Sequence, residues 1–270
     1  MTPADWLALR AAASLAPSAP RRALVIGGAT VGSIESMLAE QLLAAGLPLR
    51  TTADSMIEVE GLADASLAQL AHWLHEHGHA GRWRDELLPV CDADQHPLAR
   101  VERAVVRPLG IATHAVHLVG WAGDGAGGRQ WLQQRAFDKA TDPGLWDTMV
   151  GGLMAADESA GVALERECWE EAGLRVVDLG VLQRAGVVTV RRPVQGSGTG
   201  GYMVEHIQAM HCWVPQGVAP RNRDGEVERF EVATGSEVDA RIAAGTVTLE
   251  AALVIACCRA AVPPNRSAAR

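Results

Sequence analysis

Between Gly152 and Leu174 the chain reads GLMAADESAGVALERECWEEAGL, and three carboxylates, Glu167, Glu170 and Glu171, fall at i, i+3 and i+4. In a helix that spacing stacks all three on one face within about one turn. Like charges so close repel one another, so a chain that keeps them there needs a compensating cation. Oxygen-only donors match a hard divalent ion, Mg²⁺ or Mn²⁺. Gly173 follows directly, where a helix ends in a left-handed residue that favours glycine. The segment predicts a loop, then a helix over roughly Ser159 to Ala172, then a tight stop. A merely solvated acidic face would explain neither the glycines nor Arg166.

This stretch resembles the Nudix hydrolase signature: Gly, five residues, Glu, seven residues, then Arg-Glu-aliphatic-x-Glu-Glu-x-Gly-aliphatic. Gly152, Glu158, Arg166, Glu167, Glu170, Glu171, Gly173 and Leu174 stand at the matching positions. Cys168 replaces an aliphatic residue, and a thiol is a small, easily buried hydrophobe. PGLWDTMVGG is similar to the Pro-Gly-x-Trp…Gly-Gly loop that leads into the signature in many members, with one residue more between Trp146 and Gly151. The resemblance implies an α/β Nudix fold: a mixed β-sheet between helices, carrying a loop-helix-loop catalytic motif, here preceded by a small α+β N-terminal domain. The runs WLQQRAFDKATDPGLWDTMVGGLMAADES, RWRDELLPV and RDGEVERF resemble a narrower group, Nudix proteins with an extra N-terminal domain related to the Nudix partner of fungal thiamine pyrophosphokinase. That similarity covers roughly residues 22 to 262.

The implied chemistry is attack of water on one phosphorus of a diphosphate. On this reading Glu167, Glu170, Glu171 and the carbonyl of Gly152 hold Mg²⁺, with Mn²⁺ as a substitute. Arg166 and Glu158 pair and orient the glutamates. The catalytic set is Glu167, Glu170, Glu171 and Arg166, with Glu226 as general base. Strand alternation places Glu226 and Glu228 on one face, and Glu226 is the favoured of the two. Arg135 and Lys139, just ahead of the Trp146 loop, are candidates for meeting substrate phosphates. Trp146 itself either lines the cleft or packs into its own domain. The narrower resemblance implies thiamine diphosphate or its oxidised analogues as substrate, giving the monophosphate and phosphate. A broader hydrolase of ADP-ribose or dinucleotides is the alternative. A non-catalytic nucleotide-sensing domain is a third reading, disfavoured because every glutamate of the signature is present.

With 270 residues and nearly half of them hydrophobic, the chain has material for two cores. The expected division is a flexible segment over 1–21, a small α/β domain over 22–108, the Nudix domain over 109–262 and a disordered tail over 263–270. A net charge of −8 disfavours a nucleic-acid backbone or an anionic membrane as partner, and the small diphosphate that the resemblance implies would need local cations, metal ions or placed Arg and Lys. Oligomeric state stays open, a dimer being one option. Five cysteines without CxxC spacing, no signal peptide pattern and no long apolar run lead to the expectation of a reduced, cytoplasmic protein. The tract HWLHEHGH is discounted as a metal site, since its histidines straddle the helix stop at Gly78. GGATVG fails the dinucleotide fingerprint, and QGSGTGG is not followed by the Lys-Ser/Thr of a phosphate loop. The N-terminal third is expected to be strand, glycine turn, strand, two helices stopping at Gly46 and Gly78, and a hairpin across DADQHP.

Overall fold

The computed structural model describes residues 3–123, 128–194 and 201–261. The tail expected to be disordered over 263–270, the interior of the turn GDGAGG and most of the connection QGSGTGG lie outside the described residues. The chain begins with helix α1 (Pro3–Ala12). The flexible segment expected over 1–21 does not match what residues 3–21 do. Trp6 and Leu9 pack on the second core, and Ala13 is buried there. Leu15 N–H donates to the Arg191 carbonyl at 2.9 Å, and Arg191 N–H donates to Ala13 at 2.7 Å. The Ala/Pro/Ser-rich composition hid these anchors.

The small domain follows. Strand β1 (Arg21–Ile26) turns through Gly27 and Gly28 into antiparallel β2 (Ala29–Glu35). Helix α2 (Ser36–Ala44) leads to β3 (Leu49–Thr51) and β4 (Ile57–Val59), then α3 (Ala63–Glu76). The sheet order is β2-β1-β4-β3. β3 and β4 are too short to show a period in the sequence. The hairpin β5 (Leu87–Cys91) and β6 (Pro97–Glu102) closes the domain. Its core is aliphatic: Leu24, Ile34, Leu38, Leu42, Leu67, Leu70 and Leu88 are all buried. Leu109 and Ile111 belong to the same core although they lie on the approach to the next domain.

The large domain is built on β7 (Ala112–Ala122). Val116 and Leu118 point to one face of its sheet, Ala115, Val119 and Trp121 to the other, as period-two alternation requires. Both faces are covered. After β8 (Gln130–Arg135), β9 (Trp146–Asp147) and β10 (Val150–Leu153) comes helix α4 (Ala160–Ala172), which packs Ala163, Leu164 and Cys168 onto the first face. Strands β11 (Gln183–Val194), β12 (Gly201–Val214) and β13 (Val227–Ala233) complete the sheet, followed by α5 (Gly235–Ala243) and α6 (Leu249–Ala261). α6 covers the second face with Ala251, Val254 and Ile255. The order is β11-β12-β7-β8-β13, with β10 paired to β7 and β9 to β8. β12 runs parallel to β7 and the remaining pairings are antiparallel, so the sheet is mixed. This is the expected mixed sheet between helices, preceded by a small α+β domain. No helix among the described residues is long and apolar enough to cross a membrane.

The two domains share structure along one seam. Ala156 N–H, in the loop before α4, donates to the Leu87 carbonyl at 2.9 Å. Tyr202 N–H donates to Arg107 at 2.9 Å, and Arg107 Nη2 sits 3.2 Å from Glu205 Oε2.

Candidate active site

Helix α4 is defined at both ends by its sequence. Ser159 Oγ caps the start by accepting from Val162 N–H, and Gly173 stops it in the left-handed region at φ +63. The three glutamates then lie at three depths. Glu171 is buried under the sheet, Glu167 sits at the boundary and Glu170 is exposed.

Glu171 Oε2 accepts from Gly151 N–H at 3.0 Å and from Gln133 Nε2 at 3.2 Å. Burial first, then the neighbouring charge of Glu167, pushes its carboxyl up to about 8. Burial also raises Glu167, against the pull of Arg166, with Glu170 and Glu226 adding to the rise. Two carboxyls on one face are therefore held at a cost in the charged state.

Arg166 is the cation that answers this. It grips Glu158 with Nε at 2.6 Å and Nη2 at 2.8 Å. Its Nη1 donates to Glu167 at 2.7 Å and to Glu170 at 3.1 Å, and Nη2 also reaches the Leu153 carbonyl at 3.0 Å. The Arg166 bond holds Glu158 below the usual carboxylate range, and Glu158 raises Arg166 in turn. A bidentate fork of this kind fixes orientation as well as charge.

Among the described residues no three His, Cys, Asp or Glu side chains converge closely enough to hold a metal as they stand. Arg166 stands between Glu167 and Glu170, and Glu171 turns toward Gly151. The donor chemistry nonetheless fits a hard dication. It is all oxygen, three carboxyls and a backbone carbonyl, and burial above all lifts two of the three carboxyls over their ordinary range, with neighbouring carboxylates adding to the rise. Gly152 leaves the space these groups need: a Cβ there would collide with the Glu167 carboxylate. Gly152→Ala is accordingly expected to fold, because a carboxylate end can swing away. That displacement of Glu167 should lower turnover by about 10–100-fold, the cost of disorienting a ligand. Unchanged turnover would mean Glu167 is not held for chemistry.

The glutamate face opens into a cleft of about 850 Å³, and its opposite wall comes from the small domain: Arg82, Arg84, Glu86, Arg103 and Arg107. Glu226, Arg135 and Lys139 also line it. Glu228 is exposed and is not part of the lining. A bulge between Val227 and Arg229 breaks the alternation that would have set Glu226 and Glu228 on one face. Glu226 bonds Lys139 directly. Burial pushes its carboxyl up, but the Lys139 bond and the charges of Lys139, Arg103 and Arg84 outweigh burial and hold it below the usual range. Arg135 is largely committed elsewhere, to the Thr141 carbonyl at 2.9 Å and 3.2 Å and to Asp147 at 3.4 Å. Trp146 is buried in the α6-side core, with the Arg241 guanidinium 4.3 Å from its ring centre, and takes no part in the cleft.

Several lining residues were not singled out from the sequence. His117 donates to or accepts from Thr148 Oγ1 at 3.0 Å and lies beside Gly151, where a Cβ would meet its ring at 2.8 Å. Thr113 and His117 are buried polar residues in a largely apolar central strand that also carries His114, and that was the available signal. The segment Arg82 to Val90 is the stretch that its nearness in sequence to the catalytic domain offers as an added wall, but which of its side chains face the cleft, and that Arg103 and Arg107 join them, depends on the packing of the two domains. A larger groove of about 1070 Å³ runs between α1, β11 and α6 but contains none of these groups. All five cysteines are free.

Comparison with known proteins agrees with the geometry. The NUDIX domain model matches residues 115–249, half of the chain, and the chain belongs to the NUDIX family. It is similar to Nudix hydrolase 20, chloroplastic, of Arabidopsis thaliana, at 30% identity over 159 residues, covering 57% of this chain and 41% of that protein. It is similar also to Nudix hydrolase 24, chloroplastic, of the same plant, at 30% over 159 residues, 57% of this chain and 42% of the other. The chain thus spans about two fifths of the length of these curated relatives. A crystal structure from Deinococcus radiodurans aligns with a TM-score of 0.49 at 19% identity, over 64% of this chain and 99% of that one.

Proposed function

We propose that the protein is a divalent-metal-dependent hydrolase of a diphosphate linkage, with thiamine diphosphate or an oxidised analogue as its substrate. The observation that carries the hydrolase reading is the single cleft with three glutamates on one wall and arginines on the other. The thiamine-type substrate rests on the sequence resemblance and on the small domain forming part of that cleft.

Glu167, Glu170, Glu171 and the Gly152 carbonyl would hold Mg²⁺, or Mn²⁺ in its place. Such an ion would supply positive charge against the charge that develops on the phosphoryl oxygens. Arg166 holds Glu167 and Glu170 in register through its grip on Glu158. The arginine wall orients the diphosphate across the cleft. Water adds to one phosphorus, its proton passes to Glu226, and the bridging P–O bond breaks to give the monophosphate and phosphate. Pairing with Lys139 keeps Glu226 ionised and ready to accept that proton, and a substrate phosphate drawing Lys139 away makes it more basic.

A phosphate-release screen over thiamine-type diphosphates, ADP-ribose, dinucleotides and nucleoside triphosphates, with Mg²⁺ and with Mn²⁺, tests the reading. Preference for a thiamine-type diphosphate of about tenfold in kcat/KM is expected, equal to about 1.4 kcal/mol in transition-state binding. Preference for ADP-ribose would move the assignment to the conjugate hydrolases. Glu226→Gln should lower kcat more than it changes KM, since a base acts in the transition state. If Glu228→Gln is crippling and Glu226→Gln benign, the base is assigned to the wrong residue.

A further inference from the structure

The cations of the cleft are not equivalent. Arg103 pairs with Glu86 at 2.7 Å, Arg107 with Glu205 at 3.2 Å, Arg135 with Asp147 at 3.4 Å, and Lys139 with Glu226. Arg166 is held by its glutamates. Arg82 and Arg84 line the same cleft, yet neither side chain has a hydrogen-bond or ion-pair partner among the described residues. Unpaired guanidinium groups are common on open surface, but these two face a site for a polyanion. Arg84 lies close enough for its charge to act on Glu226. In the same lining, Arg107 Nη1 is buried without a hydrogen-bond partner.

The loop that carries them is fixed rather than free. Trp83, between the two arginines, stacks on His72 with ring centres 5.2 Å apart and lies 5.0 Å from His75. Its Nε1 donates to Asp85 at 2.7 Å. Trp83 lines a separate hollow with Asp64 and His72, while its two neighbours line the cleft. This is the alternation of an extended segment whose middle residue is pinned. Glu102 is buried, and its carboxylate accepts from Arg84 N–H at 3.0 Å and Glu86 N–H at 3.2 Å. Gly81 N–H donates to Ala104 at 2.8 Å. The histidine tract thus serves to seat Trp83, and the buried acid to hold the backbone beneath the arginines. A binding group held in place before the ligand arrives loses less freedom on binding.

We propose that Arg82 and Arg84 form a clamp for the terminal phosphate of a diphosphate monoester, so that the small domain selects substrates ending in a free phosphate over diphosphates esterified at both ends. The inference rests on the reading of the cleft as a diphosphate-hydrolase site. A terminal phosphate carries more negative charge than an internal one and offers three oxygens to planar guanidinium forks. Two unpaired arginines reward that difference, whereas a diester diphosphate presents less charge there.

The test uses the full chain, the double variants Arg82→Ala/Arg84→Ala and Arg82→Lys/Arg84→Lys, and two readouts. The first is calorimetric binding of methylenediphosphonate, a diphosphate mimic that is not hydrolysed. The second is the KM for a thiamine-type diphosphate beside the KM for ADP-ribose. The alanine pair is expected to weaken diphosphonate binding by about tenfold or more, with the melting temperature unmoved because neither side chain makes a structural bond. The monoester KM should rise in proportion and the ADP-ribose KM by less than about threefold, with the lysine pair recovering part of the loss. Equal losses on both substrates would reduce the arginines to general attraction and overturn the clamp, as would wild-type diphosphonate binding in the alanine pair. If the wild-type chain hydrolyses no diphosphate at all, the hydrolase reading fails, while the calorimetric arm still decides the clamp.

Discussion

Glu171→Gln is expected to lower kcat by about a thousandfold while raising the melting temperature of the metal-free protein. The two effects share one cause. Glu171 is 3% exposed and its carboxyl is pushed up to about 8, so burying it as an anion costs the fold. Its folded value lies above the unfolded one. Protons are therefore bound more tightly in the native state, and stability falls as pH rises through the window from the ordinary carboxylate range to about 8. A glutamine carries no charge through that window. It can still accept from Gly151 N–H, and its amide has a ready acceptor in Gln133 Oε1, which is buried and without a partner. The stabilising effect should thus be largest at pH 8 and above and vanish below about pH 4.5. Activity goes the other way, because a neutral amide is a poor donor to a hard dication and the lost stabilisation of the transition state is about 4 kcal/mol. Turnover with Mg²⁺ and thermal unfolding in chelator, both on the same preparation, check the pair. A Glu171→Gln enzyme with wild-type turnover, or one destabilised at pH 8, would show that this carboxylate serves packing rather than chemistry.

How much of this site could be read from the sequence depended on how local its causes are. Glu167, Glu170 and Glu171 share a helix, so their common face follows from helical periodicity alone, and Gly173 marks the stop by its own backbone needs. The pairing of Arg166 with Glu158 spans one short loop and was within reach of the motif. Glu226 was reachable as a glutamate near a strand start, but the bulge that separates it from Glu228 was not, because a single extra residue leaves no trace in alternation. α1 looked like loose sequence because its anchors, Ala13 and Leu15, bond to Arg191 on a distant strand. The wall from the small domain was legible as a segment, Arg82 to Val90, but not as the arginines that face the cleft. Arg82 and Arg84 come to line one cleft with Glu226 only because Ala156, in the loop before α4, bonds the Leu87 carbonyl of the small domain's hairpin. Trp146 shows an alternative that only packing resolves. A tryptophan next to the signature invites a binding role, yet its indole is buried against α6.

Removing residues 1–106 is expected to abolish activity on thiamine-type diphosphates, and the shared seam changes the reason. Judged by the cleft lining alone, a chain beginning at Arg107 is a Nudix domain that has merely lost one wall. In the structure Leu109 and Ile111 lie in the core of the small domain, with Leu153 of β10 packed against it. Truncation would expose Leu109 and Ile111, at about 1.5–3 kcal/mol each. That loss is a sizeable share of the roughly 5–15 kcal/mol that keeps a domain folded. It would also remove the Leu87 carbonyl that receives Ala156 N–H, loosening the loop that carries Glu158 into α4. The truncated chain should therefore aggregate or melt well below the intact protein, in addition to losing Arg82, Arg84 and Arg103. Size-exclusion chromatography and thermal melting, run beside the phosphate-release assay, separate the two effects. A soluble, monomeric truncated chain that melts like the intact protein would refute the shared core. If it also kept full activity on thiamine-type diphosphates, the small domain would have no part in the active site.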